Sequence, residues 1–246
     1  MKYLKKTAIL VDGGFYRRRA QTLWGEKTAE NRADELFTYC MKHLNHKLED
    51  RELYRIFYYD CPPAEKRVYH PLQDKTVNLK TSELHDWSEI FLNELRSKRK
   101  VALRLGELAE SQAGYLLTVN SVKKLCQGLK QVADLEETDF FLDIKQKGVD
   151  MRIGLDIASM AYKRQVDQII LISGDSDFVP AAKLARREGI DFILDPMQSN
   201  IRANLNEHID GIDSRVNFMP QPRAIHTDSS IGEMIALPED VEKLNY

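Results

Sequence analysis

The chain is poor in cysteine, and it lacks the cysteine arrangements that staple small folds or bind zinc. Its three cysteines, Cys40, Cys61 and Cys126, are odd in number, widely separated and include no Cys-x-x-Cys pair. A disulfide framework and a structural zinc site are therefore both disfavoured. We expect a reducing, cytoplasmic environment.

Long hydrophobic runs are also missing. The basic start of the chain, residues 1–6, is followed by an apolar run that lasts only from Ala8 to Val11 before Asp12 interrupts it. This run is too short for a signal peptide, and no later run is long enough to cross a bilayer. The sequence predicts no membrane partner.

The chain has no excess of charge of one sign. A formal net charge of −2 and an isoelectric point near 6.3 exclude a protein that binds nucleic acid through overall positive charge, so any such contact must use local patches. The chain also lacks the Gly-x-x-x-x-Gly-Lys and Gly-x-Gly-x-x-Gly loops that cradle nucleotide phosphates. A nucleotide cofactor is therefore disfavoured.

What the sequence does contain is an alternation of short apolar runs with amphipathic stretches. Strands are predicted at 7–11, 53–59, 101–105, 139–144, 168–172 and 190–194. Helices are predicted at 15–23, 32–48, 82–98, 119–132, 149–163, 178–187 and 204–212. This alternation is typical of βαβ units and a mainly parallel sheet with helices on both faces. We expect one α/β domain over residues 1–213, with an insertion at about 64–134, and an irregular tail over 214–246.

Acidic residues follow the predicted strands where ligands of open α/β sheets bind. Asp12 comes directly after one buried strand, and Asp175 and Asp177 come after another, in the run Ser-Gly-Asp-Ser-Asp-Phe. Asp150 begins the predicted helix 149–163, whereas Asp156 lies about 240° from it around that helix. We expect Asp156 to pair with an arginine or to act through another residue.

Four carboxylates without cysteine or histidine suit a hard divalent cation, Mg²⁺ or Mn²⁺. Such an ion would remove the repulsion between them and activate a water for phosphodiester chemistry. The competing interpretation is helix capping, which alone would explain Asp12 and one of the pair Asp175 and Asp177. Whether one ion or two would bind is left open.

Three motifs in this order resemble the NYN domain, a PIN-like family: Val-Asp-Gly-Gly-Phe at 11–15, Lys-Gly-Val-Asp at 147–150, and Ser-Gly-Asp-Ser-Asp-Phe at 173–178. The resemblance covers about residues 7–213. The family includes a bacterial group called domain of unknown function 88, or LabA-like, which this chain also resembles. It implies a PIN-like three-layer α/β/α sandwich around a mainly parallel sheet, an acidic pocket for Mg²⁺ or Mn²⁺, and ribonuclease activity. Many relatives have Asn three residues after the first Asp, where this chain has Phe15.

Substrate contacts are predicted from basic and hydroxyl side chains near these acids. Arg17 follows the Asp12 turn, Lys147 precedes Asp150 by three residues, and Ser173 can hydrogen-bond a carboxylate or a phosphate oxygen. We expect the basic run 96–100 to be a solvated helix end, with binding of a phosphate backbone as the alternative. His43 and His46 lie three apart on the predicted helix 32–48; without a third ligand, a solvated polar face is expected there rather than a metal site.

The leading functional hypothesis is a divalent-metal-dependent endoribonuclease with Asp12, Asp150, Asp175 and Asp177 as catalytic metal ligands. The alternative is a catalytically weak RNA-binding or regulatory module, which Phe15 favours slightly. A metal-dependent phosphatase or structure-specific DNA nuclease would share the acids. RNA is the expected partner, and homodimerisation is left open.

Overall fold

The computed structural model describes residues 4–219, and its elements follow the predicted alternation. The strands are β1 (Leu4–Asp12), β2 (Asp50–Asp60), β3 (Arg67–His70), β4 (Lys75–Asn78), β5 (Val101–Leu105), β6 (Glu107–Leu108), β7 (Gly114–Leu117), β8 (Phe140–Asp143), β9 (Gln146–Lys147), β10 (Gln168–Ile172), β11 (Asp191–Asp195) and β12 (Gly211–Ile212). The α-helices are α1 (Gly13–Trp24), α2 (Ala29–Lys42), α3 (Glu83–Ser97), α4 (Val119–Cys126), α5 (Val149–Tyr162), α6 (Val179–Arg187) and α7 (Ala203–Asn206).

A six-stranded, all-parallel sheet forms the centre, in the order β12-β11-β10-β1-β2-β5. Its middle strands are apolar along their length because both faces are covered. In β1, Ile9 and Val11 face the core formed with α1, α2 and α3, whereas Ala8 and Leu10 face the core formed with α5 and α6. The predicted three-layer α/β/α sandwich around a parallel sheet is confirmed.

The segment 64–134, predicted as an insertion, is divided by the structure. Strand β5 pairs with β2 at the edge of the central sheet, and α3 buries Phe91 and Leu95 against it. These two elements therefore belong to the sandwich. The other strands of the segment form small antiparallel pairs: β3 pairs with β4, whereas β6 and β7 pair with β9 and β8, which follow the segment. The His70 ring joins two of these pairs by packing 4.2 Å from the Tyr115 ring centroid.

The prediction that His43 lies on a solvated face was wrong. Helix α2 ends at Lys42, and the His43 side chain is fully buried. Its Nε2 lies 2.8 Å from Oδ2 of Asp195, an oxygen that also accepts a 2.5 Å hydrogen bond from the Tyr39 hydroxyl. Asp195 ends β11, 152 residues away in sequence. Helical periodicity within α2 cannot reveal a buried partner that arrives from so distant a strand.

The predicted tail begins within the described residues. Val216 and Met219 are buried in the same core as α2, around a 3-10 turn at Val216–Phe218. Residues 220–246, which hold the rest of the predicted tail, lie outside the described residues. Within residues 4–219, no helix has the length and apolar character needed to span a membrane.

Candidate functional site

The predicted acids lie at the point where the sheet changes its direction of winding. From β1 the chain proceeds outward through β2 to β5, and from β10 it proceeds the other way through β11 to β12. Strands β1 and β10 are neighbours, with Val11 opposite Ile172. In open α/β sheets the crevice beyond the carboxyl ends of two such strands is the usual ligand site. Asp12 and Ser173 stand on either side of this crevice.

Asp12 is held in place by two hydrogen bonds. Its Oδ1 accepts from the Phe15 amide at 3.1 Å, which caps α1, and its Oδ2 accepts from the Ser173 hydroxyl at 3.2 Å. The predicted capping interpretation is therefore correct for Asp12. It does not exclude another role, because a carboxylate accepts about four hydrogen bonds or metal contacts in all.

Burial is the main cause that raises the pKa of Asp12 from 3.8 to about 6. The charge of Asp150 raises this pKa further. The two hydrogen bonds and the charge of Arg18 oppose the increase. A carboxyl pKa that is raised both by desolvation and by a neighbouring negative charge is typical of functional sites, and structural ion networks produce such shifts too.

Asp150 lies in the first turn of α5. Gly148, the residue that precedes the helix, has φ +77°, in the left-handed region that favours glycine. The pKa of Asp150 is raised by burial first, then by the charges of Asp175 and Asp177. The charge of Asp150 thus interacts with Asp12 on one side and with Asp175 and Asp177 on the other.

The loop after β10 is organised by its own polar side chains. Ser173 is fully buried and accepts from the Asp175 amide at 3.3 Å while donating to Asp12. Asp175 in turn accepts from the Asp177 amide at 2.9 Å and so caps the 3-10 turn at Ser176–Phe178. Asp175 and Asp177 are both exposed. Of the two contacts predicted for Ser173, the structure places it on a carboxylate.

Phe15 packs over this loop from the α1 side. A β-carbon added at Gly174 would lie 2.9 Å from the Phe15 ring and 3.2 Å from the Ser199 hydroxyl, so the close approach requires glycine at 174. The Phe15 ring therefore fills space beside the acids. A smaller Asn side chain at position 15 would leave that space open to a polar group.

Asp60, which ends β2 at the same edge, is already fully engaged by the protein. Its Oδ1 accepts from Arg17 at 3.1 Å, from the Cys61 amide at 2.8 Å and from Gln146 at 3.2 Å. Its Oδ2 accepts from the Tyr58 hydroxyl at 2.7 Å. Neither Asp60 as a buried anchor nor Gln146 as its partner was predicted. The only signal in the sequence was the position of Asp60 at a strand end.

The predicted phosphate contacts lie in different surroundings. Arg17 is paired with Asp60, yet its Nε is buried without a hydrogen-bond partner among the described residues. Lys147 is exposed in β9, opposite Glu107 of β6, and borders a separate cleft. Arg18 acts electrostatically on Asp12. The substrate roles of Arg17, Lys147 and Ser173 remain predictions.

Asp156 lies apart from the acidic group, as predicted. It accepts from the Tyr59 hydroxyl at 2.9 Å and from Arg104 Nε at 3.0 Å. Of the basic run 96–100, Lys98 pairs with Asp34 and Lys100 donates to the Leu53 carbonyl. This run joins the end of α3 to the beginning of β5, at the amino-terminal edge of the sheet, away from the acids.

The four carboxylates fit a hard divalent cation in donor chemistry and in charge. They provide oxygen ligands. Burial raises the pKa values of Asp12 and Asp150, and neighbouring acids raise them further, a repulsion that a cation would relieve. Within residues 4–219, however, no three His, Cys, Asp or Glu side chains are gathered closely enough to hold a metal ion. Mutual repulsion opposes such a gathering by carboxylates alone.

Comparison with known proteins identifies the family. A Vibrio parahaemolyticus protein of unknown function with a solved crystal structure is 14% identical, with 85% of this chain and 92% of that chain covered and a TM-score of 0.42. Among curated proteins, none is significantly similar to this chain. Residues 6–210 match the NYN domain, and this range includes Asp12, Asp150, Asp175 and Asp177. The chain therefore belongs to the NYN domain family of PIN-like nucleases.

Proposed function

We propose that the protein is a divalent-metal-dependent endoribonuclease that hydrolyses RNA phosphodiester bonds at the carboxyl edge of its sheet. Asp12, Asp150, Asp175 and Asp177 would hold Mg²⁺ or Mn²⁺. The observation that carries the proposal is the electrostatic coupling of Asp150 to Asp12 on one side and to Asp175 and Asp177 on the other. The proposal includes a cytoplasmic RNA as the substrate. It also assigns the chain to the bacterial group called domain of unknown function 88, or LabA-like.

A divalent ion held there would supply a water of lowered pKa and would polarise the phosphate. The chain's own residues contribute orientation and charge. Ser173 and the Phe15 amide fix the Asp12 carboxylate, and the amino-terminal turn of α5 presents Asp150. Arg18 provides positive charge near Asp12, where a phosphate would approach.

The experiment is an RNA cleavage assay with Mg²⁺, with Mn²⁺ and with EDTA. Wild type is compared with Asp150→Asn and with Asp156→Asn, a matched control on the same helix whose carboxylate pairs with Arg104. We expect metal-dependent cleavage by wild type and by Asp156→Asn, and a loss of several orders of magnitude in Asp150→Asn. Cleavage at the wild-type rate by purified Asp150→Asn would place the activity elsewhere.

A second candidate is a catalytically weak RNA-binding or regulatory NYN module. It is favoured by the Phe15 ring over Gly174, which occupies the position where many relatives have Asn. RNA binding by wild type without cleavage under either metal would support this candidate. A gain of cleavage in Phe15→Asn would then identify the ring as the cause.

A further inference from the structure

A cleft of about 600 Å³ opens beside the acidic edge, between α1 and α3, and we call it the Trp87 cleft. Gly14, two residues after Asp12, is part of its wall. A methyl group at Gly14 would lie only 3.7 Å from Asp12 Oδ1 and 3.9 Å from the side-chain oxygen of Gln146, which also lines the cleft. The cleft therefore borders Gly14, the residue whose β-position is in van der Waals range of the Asp12 carboxylate.

The α3 wall of the Trp87 cleft presents the apolar and aromatic side chains of Leu84 and Trp87, beside the carboxylate of Glu83. Leu84 and Trp87 are three residues apart, on one face of α3, and Leu84 is 70% exposed. The Trp87 indole stacks on Phe91, with centroids 5.0 Å apart and planes 14° apart, and its N–H donates to the Lys27 carbonyl at 3.0 Å. These contacts satisfy the indole N–H and hold the ring in one orientation, beside the exposed Leu84.

The opposite wall, formed by α1, the loop after it and the first turn of α2, carries four cations, Arg17, Arg18, Lys27 and Arg32, and one carboxylate, Glu26. Arg17 lines this wall, and its Nε–H is buried without a hydrogen-bond partner among the described residues. Lys27 and Arg32 share the single carboxylate of Glu35, which leaves this group of three with excess positive charge. Arg18 lines the same wall. Hydrogen-bond donors and positive charge opposite an aromatic and aliphatic surface match the two halves of a nucleotide, its acceptor-rich edges and its flat base.

We propose that the Trp87 cleft receives one unpaired nucleobase of an RNA strand, next to the phosphate that lies at the acidic edge. This inference rests on the proposed function for the position of that phosphate. A paired base is stacked inside its duplex and cannot enter a cleft between two helices. The protein therefore selects single-stranded RNA, or a loop, at the nucleotide that neighbours the bond to be cleaved.

The test measures binding without cleavage, in Asp150→Asn protein with Mg²⁺, by fluorescence anisotropy of a labelled single-stranded RNA. The probes are the intact strand, the same strand in a duplex, and a series with one abasic ribose at successive positions. We expect the duplex to bind more weakly than the strand, and one abasic position to weaken binding about fivefold or more. Leu84→Ala should weaken the intact strand and leave the strand with that abasic position unchanged. Leu129→Ala, a leucine 75% exposed outside the cleft, should affect neither.

An abasic series without a sensitive position, an equal effect of Leu84→Ala on intact and abasic strands, or no binding of RNA at all would overturn the proposal. Failure of the proposed function is distinguishable. If wild type cleaves RNA and the abasic series is flat, the nuclease proposal stands and the cleft proposal fails. If the series identifies one base and wild type cleaves nothing under Mg²⁺ or Mn²⁺, the base-binding cleft stands without the nuclease.

Discussion

The Ser173 hydroxyl donates a 3.2 Å hydrogen bond to Asp12 across the junction of β10 and β1, between residues 161 positions apart. The same hydroxyl accepts from the Asp175 amide. One buried side chain thus sets the position of an acid on one strand relative to the loop that carries two more. The electrostatic state of this group of acids can be measured in several ways.

Asp12→Asn should stabilise the protein near pH 7.5 in EDTA. The pKa of Asp12 is about 6 in the folded protein and 3.8 as the ordinary value, so the folded state binds the proton more tightly. Ionised Asp12 therefore lowers the free energy of unfolding above pH 6, by about 3 kcal/mol at most, and this cost vanishes below about pH 4. Asn caps a helix as well as Asp. Thermal unfolding at pH 4 and pH 7.5 should show a difference only at the higher pH, and a destabilised variant at pH 7.5 would contradict the prediction.

Asp150→Asn should lower the pKa of Asp12, because the charge of Asp150 is one of the causes that raise it. The pKa should stay above 3.8, since burial is the larger cause. NMR titration of the Asp12 carboxyl carbon in EDTA measures this directly. Asp156→Asn is the control and should leave the Asp12 titration unchanged. An unaltered Asp12 pKa in Asp150→Asn would show that the two acids are not coupled.

The adjacent glycines should respond in opposite ways to alanine. Neither Gly13 nor Gly14 has a positive φ, so neither position needs glycine for its backbone conformation. A β-carbon at Gly13 would lie 2.5 Å from the Tyr58 hydroxyl and 2.6 Å from the Tyr59 carbonyl, whereas one at Gly14 makes ordinary contacts. We expect Gly13→Ala to destabilise the protein by about 1–3 kcal/mol. Gly14→Ala should stabilise the helix by up to about 1 kcal/mol and weaken RNA binding by narrowing the Trp87 cleft. Chemical denaturation and anisotropy check the two effects, and equal stabilities for both variants would contradict the first.

Arg17→Ala should destabilise the fold as well as affect RNA. It leaves the buried Asp60 without its cation, which costs about 3 kcal/mol in typical buried pairs. Adding Asp60→Asn to the variant should restore part of the lost stability because no buried charge then remains unpaired. Urea denaturation of wild type and both variants tests this. A double variant no more stable than Arg17→Ala would show that lost packing, and not the unpaired charge, is the cause.

The stability that His43 contributes should depend on pH. Burial lowers the pKa of His43 and is the largest single influence. The hydrogen bond with Asp195 and the charges of Asp195 and Asp213 together outweigh it, so the net pKa is raised from 6.5. The protonated ring then stabilises the fold fully below pH 6.5, and this contribution is lost as the pH rises through the folded pKa. His43→Gln should thus be most destabilised relative to wild type near pH 6, and least at pH 9, in thermal unfolding. A constant difference across this range would mean that folding leaves the pKa of His43 unchanged.

Local features were predictable because local chemistry determines them. The strands 101–105 and 168–172 have the predicted boundaries, and the second, which is rich in β-branched isoleucine, is buried along its whole length. The positions of Asp12 and Asp175 at strand ends follow from the same runs. The predicted helix 204–212 shows where this approach stops: the structure has a short α7, and then β12, which forms because β11 offers it hydrogen bonds.

The amino-acid sequence alone determined the parallel α/β class, the family resemblance and the identity of the candidate acids, because periodicity and motif order are properties of neighbouring residues. Only the tertiary structure decided which side chains face one another. It engages Asp60 with Arg17 and Gln146, buries His43 against Asp195 and couples Asp150 to Asp12. Such pairs join strands and helices that are far apart in the chain, and their charges interact only after the sheet has brought those elements to one edge.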